Sequence, residues 1–366
     1  MMRLKLGERT VIEQTAQITD GIIMHSGQEK DPHWNEAAGN AITGIMLYAR
    51  FGSNIKDEDR HLGTVRDFIN MVKKQAAGED DKKYYVLPKQ VMAGIAHLKT
   101  PAHMHIYRNI EANVRALYEA GREEMSGILS TMKRHTAFLE FPSIRDVVSG
   151  HDFDLEDLKR SKSGVSVYLI LPAGRMGSCN RWLRIMVNQL IDAMEMEETV
   201  PEAPVLAVLD EFPVLGFMKQ LQDAAGQMAG FHLKLWTVLQ DNSQGQSIYK
   251  DRWDSFVANC GFTQYFANVD LTTTEYLSKR LGKTPVMSVR IQDSTFDQQE
   301  RGGQGRSETT EMYDMMTPDE ISRYFARDDK MKRQLILMAG KHPMIIQRVE
   351  WWNEKTEYAA VFKQGK

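Results

Sequence analysis

Five consecutive apolar residues, Val205-Leu206-Ala207-Val208-Leu209, run directly into two adjacent carboxylates, Asp210 and Glu211. If those five form a buried parallel strand, the acids emerge at its carboxyl end, the edge where ligands bind in such sheets. One carboxylate can then hold Mg²⁺ through hard oxygens while the other orients or deprotonates a water, which is Walker B chemistry. The competing reading is an N-terminal helix cap. A further apolar run, Leu233 to Leu239, ends in Gln240-Asp241-Asn242-Ser243. In motor ATPases a polar amide at the end of the strand beside Walker B senses the γ-phosphate or the attacking water, and Gln240 occupies that place. The alternative is a residue that merely opens a polar turn.

Such groups need strands and crossover helices to hold them. From residue 165 onward, apolar runs alternate with helical patterns: Val165–Pro172, a helix over Arg181–Met196, Val205–Leu209, a helix near Met218–Gln227, and Leu233–Leu239. A helix around Ser247–Ala258, a strand Phe262–Ala267 and a helix Thr272–Leu281 follow. This alternation predicts an α/β fold with a parallel sheet and right-handed crossovers. Upstream, apolar residues three and four apart predict helices over Val11–Ile23 and Trp34–Tyr48, the second capped at Asp31 with Pro32 in its first turn. Helical patterning continues through Val65–Val72, Gln90–His97, Ile106–Tyr118 and Ile128–Phe138, so residues 57 to 150 read as an all-helical block. Residues 283 to 366 look less regular, with a loop at Arg301–Arg306 and short strands at Gln334–Met338 and Met344–Val349.

The 366 residues are 42% hydrophobic and 26% charged, the balance of a globular protein with room for about two domains. Forty-six basic against forty-nine acidic residues leave a net charge of −3, so nucleic acid would have to meet a local patch or pore rather than a global basic field. Cys179 and Cys260, far apart, exclude a disulfide scaffold and a thiolate zinc site. No run reaches the roughly 18 apolar residues of a membrane span, so the chain as given is expected to be soluble. His103 and His105 lack a third metal ligand by spacing, and Lys133-Arg134-His135 reads first as a solvated helix face.

Asp210-Glu211-Phe212-Pro213-Val214-Leu215-Gly216, Gln240 with Ser243-Gln244, and Asn259-Cys260 before the fourth strand together resemble type IV secretion coupling proteins, the TraG-like conjugative DNA-transfer ATPases. Further segments extend the resemblance over most of the chain: Asp31-Pro32-His33-Trp34, Met125 to Thr131, Tyr168 to Pro172, Leu281 to Thr284 and Gly340 to Pro343. The resemblance implies a RecA-like, mostly parallel sheet with an inserted all-helical domain. Residues 1–56 would be N-terminal helices belonging to the motor domain, 57–150 the helical domain, and 151–366 the motor domain with Walker B. It assigns Asp210 to Mg²⁺ bound with ATP, Glu211 as the catalytic carboxylate and Gln240 as the sensor. It also implies hexameric rings at the cytoplasmic face of the bacterial inner membrane, moving single-stranded DNA with relaxase or effector proteins into a secretion channel.

The sequence departs from that family in more than one respect. Its only Gly-Lys-Thr is Gly282-Lys283-Thr284, but P-loop spacing needs another glycine at position 277, which is Leu277, and the triplet follows a helix. The expectation is therefore the C-terminal part of a coupling protein, lacking the P-loop and unable to hydrolyse ATP alone. Alternatives are a remnant that docks substrates without hydrolysis and a hydrolase using Asp210 and Glu211 directly. The segment Gly226-Gln227-Met228-Ala229-Gly230, where some relatives carry an arginine finger, has no arginine, and none is assigned among Arg252, Arg280 and Arg290.

Overall fold

The computed structural model describes residues 1, 3–24, 32–72, 86–224, 226–292 and 305–350. They form two compact units, Met1–Val238 and Leu239–Lys366. The expected cap at Asp31, the glycines at 302 and 303 and the Trp351-Trp352 pair lie outside the described residues.

The first unit is mostly helical: α1 (Val11–Ile22), α2 (His33–Phe51), α3 (Leu62–Met71), α4 (Val86–Ile95), α5 (Met104–Glu119), α6 (Arg122–Thr136), α7 (Pro142–Ser149), the single turn α8 (Asp157–Arg160) and α9 (Met176–Met196). α2 carries apolar or small residues nearly all round and buries Ala38, Ala41, Ile42, Ile45, Met46, Leu47 and Tyr48, which makes it the central helix. It packs against α1, α3, α5 and α6. α1 packs against α9 at a glycine: a Cβ at Gly21 would stand 2.9 Å from the Ile185 Cα, so only a residue without a side chain allows this approach. Arg66 of α3 is buried and donates to the Glu140 carboxylate, the Lys133 carbonyl and the Thr136 hydroxyl, tying α3 to the end of α6.

After α9 come β1 (Val205–Leu209), α10 (Lys219–Ala224) and β2 (Leu233–Thr237), with β1 and β2 parallel and Val205 opposite Leu233. The run Val165–Pro172, expected as a buried strand, is not one. It lies outside any described sheet, with Tyr168 81% and Ile170 79% exposed. Its residues have strand propensity, but a strand exists only with a ladder partner, and β1 pairs with β2 alone among the described residues.

The second unit contains α11 (Asn242–Tyr249), α12 (Trp253–Ala258), β3 (Phe262–Tyr265), α13 (Leu271–Leu281), β4 (Lys283–Gln292), β5 (Gly305–Asp314), α14 (Pro318–Tyr324), β6 (Arg333–Met338) and β7 (Met344–Gln347). The single helix expected over 247–258 is two, separated at Lys250, whose φ of 50° breaks a right-handed α-helix. β3 joins β6 and β7 in an antiparallel sheet of order β3-β6-β7. Leu277, Ile321, Phe325, Leu335 and Leu337 fill the core that α13, α14 and β6 share. β4 and β5 form a two-stranded antiparallel ribbon from Lys283↔Asp314 to Gln292↔Gly305, regular structure where irregularity was expected. Met287 to Gln292 does alternate apolar and polar residues, but the partner strand Gly305–Asp314 is mostly polar, so the pairing has no matching signal in the sequence.

Candidate functional site

Asp210 and Glu211 sit where β1 stops being a regular strand. The Val238 N–H donates to the Leu209 carbonyl at 3.0 Å, and its carbonyl accepts from the Phe212 N–H at 3.2 Å. A regular parallel ladder would pair that carbonyl with the N–H of residue 211, so one extra residue is inserted and the chain bulges at the two acids. Both carboxylates are exposed, whereas Phe212 beside them is fully buried and anchors the turn Phe212–Leu215. Hard oxygen ligands presented at the carboxyl end of a parallel strand suit Mg²⁺.

Two residues of α9 hold the segment that follows. Asn180 donates to the Val214 carbonyl at 3.0 Å. One turn later, Arg184 donates to the carbonyls of Leu215 at 2.5 Å and Phe217 at 2.8 Å, and also to Gly21 at 3.2 Å at the end of α1. Arg184 is only 2% exposed, so its guanidinium replaces water for carbonyls that would otherwise be buried without donors. Neither residue was singled out from sequence. The available signal is a pair of polar residues four apart on the face of α9 that also buries Cys179, Ile185 and Ile191.

Gln240 is the second residue of the second unit, three residues past the end of β2. Its backbone N–H donates to Gln244 Oε1 at 3.0 Å, and its carbonyl accepts from Asn268 Nδ2 at 3.2 Å. Asp241 caps α11, accepting from the Gln244 N–H at 2.9 Å, and the Asn242 N–H donates to Thr273 Oγ1 on α13 at 2.9 Å. The main chain is thus fixed on both sides of the glutamine while its side chain stays exposed, which suits a group that must respond to a ligand.

Gly282 ends α13 with φ 81°, its N–H bonded to the Ser278 carbonyl, and Lys283 and Thr284 begin β4 opposite Asp314 and Tyr313. A helix C-terminus presents carbonyls and negative potential, the reverse of a phosphate cradle. Among the described residues, Asp210 and Glu211 therefore fit the metal side of a nucleotide site, whereas Gly282-Lys283-Thr284 does not fit its phosphate side. Among the described residues, no cluster of three His, Cys, Asp or Glu forms a separate metal site, and no helix is long and apolar enough to cross a membrane.

The family profile of type IV secretory system conjugative DNA transfer proteins matches residues 2–365. The conjugal transfer protein TraG of Escherichia coli is 25% identical over 331 residues, covering 87% of this chain and 50% of that protein. The type IV secretion system-coupling protein VirD4 of Bartonella quintana is 25% identical over 336 residues, covering 90% of this chain and 48% of that protein. This chain thus spans about half the length of these curated relatives. Among solved structures, the bacterial conjugative coupling protein TrwBdeltaN70 superposes with a TM-score of 0.65 at 13% identity, over 92% of this chain and 68% of that one. The plasmid coupling protein TrwB in complex with ADP and Mg²⁺ does so with a TM-score of 0.62 at 12% identity, over 95% and 71%. The shared fold is the RecA-like one of the coupling proteins, and the match along almost its whole length shows that the chain belongs to the type IV secretory system conjugative DNA transfer family.

Proposed function

We infer that this chain is the Walker B-bearing part of a coupling-protein subunit whose complete motor hydrolyses ATP to move single-stranded DNA, with relaxase or effector proteins, into a type IV secretion channel. The observation that carries this reading is the exposed acidic pair, bulged from the carboxyl end of a parallel strand and braced from behind by Asn180 and Arg184. Asp210 would hold Mg²⁺ bound with the nucleotide, Glu211 would orient and deprotonate the attacking water, and Gln240 would sense the γ-phosphate. When bound there, Mg²⁺ would supply charge neutralisation on the phosphates. The protein's part is to hold its ligands at a fixed bulge. Residues 57–150 would be the family's helical domain, within a motor domain contributed by 1–56 and 151–366. Assembly into hexamers at the inner membrane belongs to the same reading.

ATP turnover tests it. The 366-residue chain alone is expected to show none, because a backbone cradle for the phosphates is not among its motifs. Joined to a segment that supplies that cradle, it is expected to turn over ATP, and Glu211→Gln should lower the rate by about 10²- to 10⁴-fold. Turnover by the chain alone that vanishes in Glu211→Gln would defeat the inference about the cradle. Continued absence of turnover in the joined protein would favour the second reading, a subunit that docks substrates without hydrolysis.

A further inference from the structure

We propose that Arg134 on α6 and Arg181 on α9 form a binding site for a phosphate-class oxyanion, separate from the acidic pair and the glutamine. The run Lys133-Arg134-His135, expected to be a solvated helix face, divides: His135 is 3% exposed and turns inward, while Arg134 stays at the surface. Just past the end of α1, the Met24 N–H donates to His135 Nδ1 at 3.4 Å. Asn180 Nδ2, one residue before Arg181, stands 3.9 Å from the Met24 sulfur. Met24 thus brings the last turn of α6 and the start of α9 together, and with them the two arginines.

Neither guanidinium has an acid beside it. Among the described residues Arg181 enters no hydrogen bond or ion pair, and its Nε is buried without an acceptor. Arg134 Nη2 lies 3.3 Å from His135 Nε2, but the two are both donors. A backbone N–H can only donate, so His135 Nδ1 accepts from Met24, and the neutral ring carries its proton on Nε2, which faces Asn35 Oδ1 at 3.2 Å. The Arg134 donors therefore remain unspent. Burial first, and then the charge of Arg134, push the Arg181 pKa below its usual value. A part-buried cation beside a like charge is costly, and an anion held by both removes the repulsion and supplies the missing acceptor. The donors set the class of ligand. Two planar forks present paired N–H groups that match the oxygens of a tetrahedral oxyanion bidentately, which selects phosphate over a halide. Inorganic phosphate, a phosphorylated small molecule and a nucleic-acid backbone share this chemistry. Because Asn180 also holds the Val214 carbonyl, the anion would bind one residue away from the brace behind the acidic bulge.

The test is thermal unfolding of the whole chain in sodium phosphate against sodium chloride at equal ionic strength and pH. Phosphate at about 20 mM is expected to raise the melting temperature by about 2–4 °C. Arg134→Gln, at an exposed position, should abolish that shift and leave the melting temperature in chloride within about 1 °C of the parent. Arg181→Met keeps an apolar stem and removes a buried donor that has no acceptor. It should melt no lower than the parent in chloride and should also lose the shift. Arg122→Gln, exposed on the same helix and equal in charge, should keep it. A fluorescent oligothymidylate then assigns the source of the phosphate. Binding at least about fivefold weaker in Arg134→Gln than in Arg122→Gln identifies a nucleic-acid backbone, and equal binding with the phosphate shift intact identifies a free or small-molecule phosphate. Either keeps the site. Absence of a phosphate-specific shift, a shift that survives in Arg134→Gln or Arg181→Met, or an Arg181→Met chain that melts lower in chloride would each overturn the proposal.

Discussion

Asp210 and Glu211 owe their position to backbone hydrogen bonds rather than to side-chain partners. The double use of Val238 sets the bulge, and Asn180 and Arg184 fix the residues that follow. Because Arg184 is buried and joins the 214–217 segment to the end of α1, its removal should be felt at both. Arg184→Met keeps most of the volume but strands several buried carbonyls, and is expected to cost about 2–4 kcal/mol, read from urea unfolding. Arg184→Lys, with one donor centre in place of a planar fork, should recover only part of that loss. The carboxylates themselves were recognisable in sequence, because an apolar run ending in two acids is a local pattern. Their braces were not, since Asn180 and Arg184 act on residues more than thirty positions away.

At the scale of elements, close packing in the first unit depends on contacts of the same long range. Gly21→Ala would force the Cβ into Ile185, separating α1 from α9 at an expected cost of about 1–3 kcal/mol, measurable as a lower melting temperature. The ion pair of Arg66 with Glu140 gives the helical part a pH dependence. Hydrogen bonds from Arg66 and then Asn70 hold the Glu140 carboxyl below the usual carboxylate range. A carboxyl with a lowered folded-state pKa stabilises the fold above its unfolded value, about 4.3, and that contribution is lost as pH falls through the lower one. Stability should therefore decline below about pH 4.3, and Arg66→Met should flatten that acid limb in melts taken from pH 2 to 6. Strand and helix types followed the hydropathy period in most places. The exceptions are Val165–Leu171, which has strand propensity without a partner among the described residues, and the β4–β5 ribbon, in which only β4 carries the alternating pattern.

The molecule as a whole divides after Val238, between β2 and Gln240. Nothing in the local sequence marks that division, because Leu239 and Gln240 read as the natural end of a strand. Two compact units, each with its own core, predict two calorimetric transitions. A differential scanning trace should show a calorimetric enthalpy above the van't Hoff value, and a single two-state transition would contradict it. The net charge of −3 has no bearing on this division.

Sequence alone determined the family and the α/β class, and it singled out the acidic pair and the glutamine as candidates. These depend on short patterns of apolar runs, chain order and residue type that survive without three-dimensional information. Only the tertiary structure decided that the acids lie on a bulge, that α9 braces the loop behind them, and that among the described residues β1 and β2 pair only with each other. Each of those is a relation between distant parts of the chain, created when hydrogen bonds and burial close between them.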